Sequence, residues 1–141
     1  MKIHNGIAAL LLRFALAAGF LSAVASRLGL WGKHSSGWKN FLQYTAEVNA
    51  FAPAAVIPAL AIASTLLEIS IAILLIIGYK TRWAAIAAAV HTLLFALAMS
   101  ISFGIKEPLD YSVFAVSAGA LLLSAIPEYQ WSIDKKIGLK K

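Results

Sequence analysis

Four apolar runs, each near the length of a membrane crossing, are separated in this chain by one long and two short polar connections. A helix needs about 20 mostly apolar residues to cross a hydrocarbon core of about 30 Å. The runs are Gly6 to Ser26, Ala54 to Tyr79, Trp83 to Phe103 and Leu109 to Ile126. Ala and Leu dominate them, which favours helices over barrel strands. Pro53 and Pro58 open the second run and Gly78 ends it. Pro108 precedes the fourth, the shortest, and Pro127 stops it, as expected of a residue that enters helices well and cannot continue them. Of the 141 residues, 61% are hydrophobic and 13% charged, more apolar surface than a water-soluble core of this size can hide. The expected fold class is an all-α integral membrane protein: a four-transmembrane-helix bundle in one membrane domain, 1–141.

Lys2 and the Ala23-Val24-Ala25 triplet resemble parts of a cleaved signal peptide. The first apolar run is longer than a signal core and contains Arg13, which favours a retained span. Four spans place both termini on one side. That side carries Lys2, Lys80, Arg82, Lys135, Lys136, Lys140 and Lys141, against Arg27, Lys33, Lys39 and Lys106 on the other. The excess of basic residues predicts cytoplasmic termini and a basic cytoplasmic tail over 127–141. It also accounts for the net charge of +6 without a nucleic-acid partner; the expected partner is the lipid bilayer.

The connection from Arg27 to Pro53 is not a plain linker. Trp38, Phe41, Leu42, Thr45 and Val48 recur at helical spacing, with Lys39, Asn40, Gln43 and Glu47 elsewhere. This pattern predicts a short amphipathic interfacial helix between spans 1 and 2, with Trp31 and Trp38 at headgroup level. It reads either as a loop anchor or as a lid over an internal cavity.

Three strongly polar side chains lie inside the runs: Arg13, Glu68 and His91. Counted from the terminal ends of their spans at 1.5 Å per residue, they sit roughly 10, 15 and 12 Å deep, and Ser117 of the fourth span falls near the same level. Each rides on a stripe of small residues that lets helices approach closely in lipid: Gly6, Ala9 and Ala17 beside Arg13; Ala61, Ser64, Thr65 and Ala72 beside Glu68; Ala84, Ala87, Ala88 and Ala98 beside His91. The expectation is an intramembrane polar cluster in which Arg13 pairs with Glu68 and His91 bonds one of them, since pairing offsets the cost of either buried charge. Such a cluster is either a structural clasp or a site for a small polar or quinone-like ligand or a proton path. At the outer face, Arg27, Trp38, Asp110 and Tyr111 are the candidates. Asp110 either caps the start of the last span or meets the lid or Arg27.

Arg13, the Gly19-Phe20-Leu21-Ser22 run and Arg27 resemble the first span of the DoxX family. "LLEISIAILLIIGYKTRWAA", with Glu68, Gly78, Arg82 and Ala84-Ala85, resembles its second-to-third-span signature, and "KEPLDYSVF", Lys106 to Phe114, the start of its last span. The resemblance covers about Arg13 to Ile126. It implies a four-helix protein of the bacterial inner membrane. Some members are membrane subunits of quinone-linked oxidoreductases, including a thiosulfate:quinone oxidoreductase, and others act in complexes that handle oxidative stress or thiol balance. For this chain it implies the quinone-side component of a redox complex, with a partner subunit performing the oxidation. The alternative is a non-enzymatic protein that binds or carries a small ligand or scaffolds a complex.

The chain has no cysteine, so it holds no disulfide, thiolate metal site or dithiol chemistry of its own. His4, His34 and His91 are too far apart along the spans to share a metal, and Met99 lies about 12 Å from His91 by helical rise, too far to share a haem with it. No nucleotide-binding loop or serine-nucleophile set is present. No metal and no intrinsic cofactor is therefore expected. A quinone needs an apolar slot with donors at its carbonyls, and His91, Arg13, Tyr111 and the tryptophans offer such donors.

Overall fold

The computed structural model describes residues 2–138, with side chains from residue 5 onward. Lys140 and Lys141 of the basic tail, and the side chains of Lys2 and His4, lie outside the described residues. Every regular element described is helical: α1 (Lys2–Arg27), α2 (Gly37–Val48), α3 (Ile57–Ile77), α4 (Thr81–Phe103), α5 (Lys106–Asp110), α6 (Val113–Ala125) and α7 (Ile133–Lys136), with short 3₁₀ turns at Gly32–His34 and Ala54–Val56.

Three helical segments are long and apolar enough to cross a membrane: Asn5–Arg27, Ala54–Ile77 and Thr81–Phe103. The fourth expected run, Leu109 to Ile126, is not one helix. It breaks at Tyr111 and Ser112, where Ser112 takes a left-handed φ of 56°, and only Val113–Ala125 continues as α6. At 1.5 Å per residue α6 is about 20 Å long, short of the membrane core. Pro108 is buried inside the five-residue α5 rather than at the entry to a span.

The long helices pack as two antiparallel pairs, α1 along α3 and α4 along α6, and the pairs touch each other less than their members do. Toward the end that carries the termini, alanine closes the gap: Ala9, Ala17, Ala72, Ala84, Ala85, Ala88 and Ala120 are buried with Leu75 and Leu123 in one core. Without Cβ branches these helices approach closely, the main source of attraction where lipid removes the hydrophobic drive between helices. Toward the α2 end the pairs separate, and a smaller core of Val48, Ala96, Ala98, Met99 and Val113 packs beneath α2. Ser102 ties α2 to α4 by donating to the Val48 carbonyl at 2.7 Å. The face of α2 built from Phe41, Leu42, Thr45 and Val48 turns inward, while Lys39, Asn40, Gln43 and Glu47 are exposed.

At the terminal end the chain after Ala125 folds back under the bundle. Tyr129, Ser132 and Asp134 are buried there, so the stretch expected as a basic tail is a packed cap. The Tyr129 hydroxyl donates to the Leu123 carbonyl at 3.0 Å. Burial, the largest influence on it, pushes the Tyr129 phenol up to about 12. The cap meets the α3–α4 turn, where Gly78 (φ 67°) ends α3 by donating to the Leu74 carbonyl at 2.9 Å. A Cβ on Gly78 would lie 2.4 Å from Arg13 Nη2 and 2.8 Å from Ser132 Cα. Glycine is thus required there by both conformation and space.

Candidate functional site

Arg13 does not pair with Glu68. Its Nε donates to the Leu75 carbonyl at 2.9 Å and its Nη2 to the Ile76 carbonyl at 3.0 Å. Nη1 reaches the Gln130 and Trp131 carbonyls at 3.4 and 3.3 Å. The last carbonyls of a helix have no partner within it, so this buried guanidinium serves as the cap of α3 and fastens the returning chain to it. Asp134 does the complementary work on the next helix, accepting from the backbone N–H of Lys80 at 2.7 Å and Thr81 at 2.8 Å. A cation at the end of one helix and an anion at the start of the next both match the helix dipoles.

Side-chain direction keeps Arg13 and Glu68 apart. A helical Cα–Cβ bond leans toward the helix N-terminus. On α1 that direction leads Arg13 to the terminal end of the bundle, whereas Glu68 on α3 leans the opposite way. Leu75 lies two turns beyond Glu68, about 10 Å along α3. Equal depth counted from helix ends did not capture this.

The partner of Glu68 is Arg27, the last residue of α1, whose side chain leans down from the α2 end toward it. Arg27 Nη2 donates to Glu68 Oε1 at 3.0 Å, and Nη1 to Thr65 Oγ1 at 3.1 Å. Nη1 also lies 2.9 Å from Glu68 Oε2, an ion pair by distance without the alignment of a hydrogen bond, so Oε2 has no hydrogen-bond partner. Oε1 takes two further contacts, from Ser64 Oγ at 3.2 Å and His91 Nε2 at 3.0 Å. Glu68 is only 5% exposed. The cluster therefore brings α1, α3 and α4 together as Arg27–Glu68–His91. Breaking such a buried pair by removing one partner costs about 3–5 kcal/mol.

This cluster sits on the wall of a cavity of about 1030 Å³ between the two helix pairs. Apart from the cluster the lining is largely apolar and aromatic, including Leu16, Phe20, Phe95, Val113 and Val116. Gly19 faces it, and a Cβ there would meet nothing within 4 Å. α2 closes one end with Phe41, Tyr44 and Thr45. α2 touches the cluster directly, because the Arg27 guanidinium carbon lies 3.9 Å from the Phe41 ring centroid, within cation–π range. Tyr44 stacks on Phe103 with centroids 6.2 Å apart. Tyr111 also lines the cavity.

The other expected site residues lie elsewhere. Ser117 is buried and donates to the Ala89 carbonyl at 2.8 Å, a link between α6 and α4 rather than part of the cluster. Trp38 packs on Phe41 with centroids 5.6 Å apart and does not line the cavity. Asp110 ends α5 and pairs with Lys106 on the same turn. It neither caps α6, whose N-cap is Ser112, nor bonds Arg27. Among the described residues no three of His, Asp and Glu gather as metal ligands. Phe41 and Tyr44 as cavity-lining aromatics of α2, and Arg27 as the partner of Glu68, were open to the sequence through the spacing on α2 and the lean of helical side chains.

Long apolar helices in packed pairs, with a polar cluster facing an apolar cavity, define a helical membrane protein. The family model that matches residues 8–101 is DoxX. The chain belongs to the DoxX family. Comparison with curated proteins and with solved structures gives no match.

Proposed function

We propose that the protein binds a lipophilic molecule with a small polar head, of the quinone class, as the membrane component of a redox complex. The carrying observation is the placement of Arg27, Glu68 and His91 on the wall of an otherwise largely apolar cavity of about 1030 Å³. Ligand sites are typically apolar hollows with few, fixed polar groups, and ionisable groups inside membranes are functional suspects. Arg27 and His91 supply the hydrogen-bonding edge for a ring head. The apolar walls accommodate the ring and the start of a tail. A partner subunit performs the oxidation.

In this reading α5 and α6 together complete a fourth crossing, α2 lies at the membrane face as a lid, and the protein resides in a bacterial inner membrane. Lys80, Arg82, Lys135 and Lys136 gather near the terminal end, which favours a cytoplasmic position for it. A ligand carrier or scaffold without a redox step is the second reading, favoured by the lack of any cysteine.

The test is lipid extraction of purified protein followed by titration with a short-chain quinone. Co-purifying quinone, with binding lost in Arg27→Leu, supports the proposal. No extracted quinone and no response to added quinone overturns the quinone assignment.

A further inference from the structure

We infer that the cavity recognises a ligand head carrying a hydroxyl, so that a lipophilic hydroquinone or phenol binds in preference to the same molecule without a donor. The inference rests on the proposed ligand site and specifies its chemistry.

An ionised carboxylate only accepts hydrogen bonds. Glu68 is held in that form by the Arg27 guanidinium, 2.9 Å away. The contact of 3.0 Å between His91 Nε2 and Glu68 Oε1 therefore requires the hydrogen on Nε2. Arg27 already balances the carboxylate, and a second cation in this buried cluster would lack a counter-charge. In the neutral ring that donates from Nε2, Nδ1 is left with a lone pair. Among the described residues none forms a hydrogen bond to Nδ1. His91 lines the cavity, with the Phe20 ring beside it at 6.2 Å between centroids. The imidazole thus offers the ligand an acceptor of fixed tautomer. A carbonyl or ether oxygen placed against Nδ1 finds a second lone pair. A hydroxyl donates to it, while its own oxygen remains available to other donors.

The experiment uses the full chain in detergent and three probes of equal tail length: a decylhydroquinone kept reduced, its dimethyl ether, and a decylphenol. The hydroquinone is expected to bind about tenfold more tightly than the ether, the factor one net hydrogen bond supplies. In His91→Phe that ratio falls to about one. A phenol that matches the hydroquinone assigns the site to hydroxyl heads in general; a weaker phenol that still exceeds the ether assigns it to hydroquinones. Equal binding of hydroquinone and ether by the native protein overturns the hydroxyl preference and leaves the ligand site standing. Failure of all three probes removes the ligand site and this inference with it. Because His91→Phe removes a partner of Glu68, ¹⁵N spectra of histidine-labelled native protein provide a second measurement. A bare Nδ1 on His91 that shifts when hydroquinone is added supports the inference. A proton on Nδ1 in the free protein overturns it.

Discussion

Arg13 and Arg27 stand about four turns apart on one helix, the first buried and the second partly so, and their surroundings differ. Arg13 faces only backbone carbonyls, on α3 and on the returning chain. Arg27 faces a carboxylate, a hydroxyl and an aromatic ring. Around Arg13 the bundle is closed by alanine and glycine; around Arg27 it opens into the cavity. The same side chain seals a helix end in one place and furnishes a pocket in the other. A buried charge in a membrane helix is therefore assigned by what its neighbours need, not by its own cost.

The largest expected effect separates the two arginines. Arg13→Leu strands the carbonyls of Leu75 and Ile76 and releases the cap, so a loss of about 3–5 kcal/mol or failure to accumulate is expected. Detergent melting and protease sensitivity of the segment after Ala125 read it. In a double-mutant cycle Arg27→Leu and Glu68→Leu should couple by about 1–3 kcal/mol, whereas Arg13→Leu and Glu68→Leu should add within about 0.5 kcal/mol. Coupling of Arg13 with Glu68 would erase the distinction.

Two glycines sharpen the same contrast. Gly78→Ala meets Arg13 and Ser132 at 2.4–2.8 Å from a left-handed backbone, and a loss above about 1 kcal/mol is expected. Gly19→Ala enters open space on a helix and should stabilise by up to about 1 kcal/mol. Thermal melting of both variants checks this; similar losses would mean that the α2 end is as tightly packed as the terminal end.

The last effect shows only at high pH; it is electrostatic and confined to the terminal end. The Tyr129 phenol, pushed up by burial, ionises at about 12 in the folded protein, against about 10 in the unfolded chain. The unfolded state loses its proton first. The contribution is fully present below about pH 10 and is lost as pH rises to about 12. Tyr129→Phe should flatten that part of the melting profile, and an unchanged profile would place the phenol in water.

The long spans were legible because lipid selects on hydropathy alone, and the inner face of α2 because its apolar residues repeat at helical spacing. The inward stripes were legible too: Ala9, Ala17, Ala61, Ala72, Ala84 and Ala88 are buried. The partner of Glu68 was not, because depth along a helix says little without the lean of its side chains. The cap was hidden for a different reason. Its decisive contacts run from Asp134 and Arg13 to main-chain groups, which every residue possesses and no sequence pattern marks. Lysines beside Asp134 made that stretch resemble solvated tail.

The return of the chain onto the α3–α4 turn has a consequence for biosynthesis. Asp134 leaves the ribosome well after Arg13 does. Until residues 130–134 have been made, Arg13 lacks the Gln130 and Trp131 carbonyls, and Lys80 and Thr81 lack their acceptor. A chain cut short before residue 128 would carry its three long apolar helices with the contacts that seal the α3–α4 turn unmade.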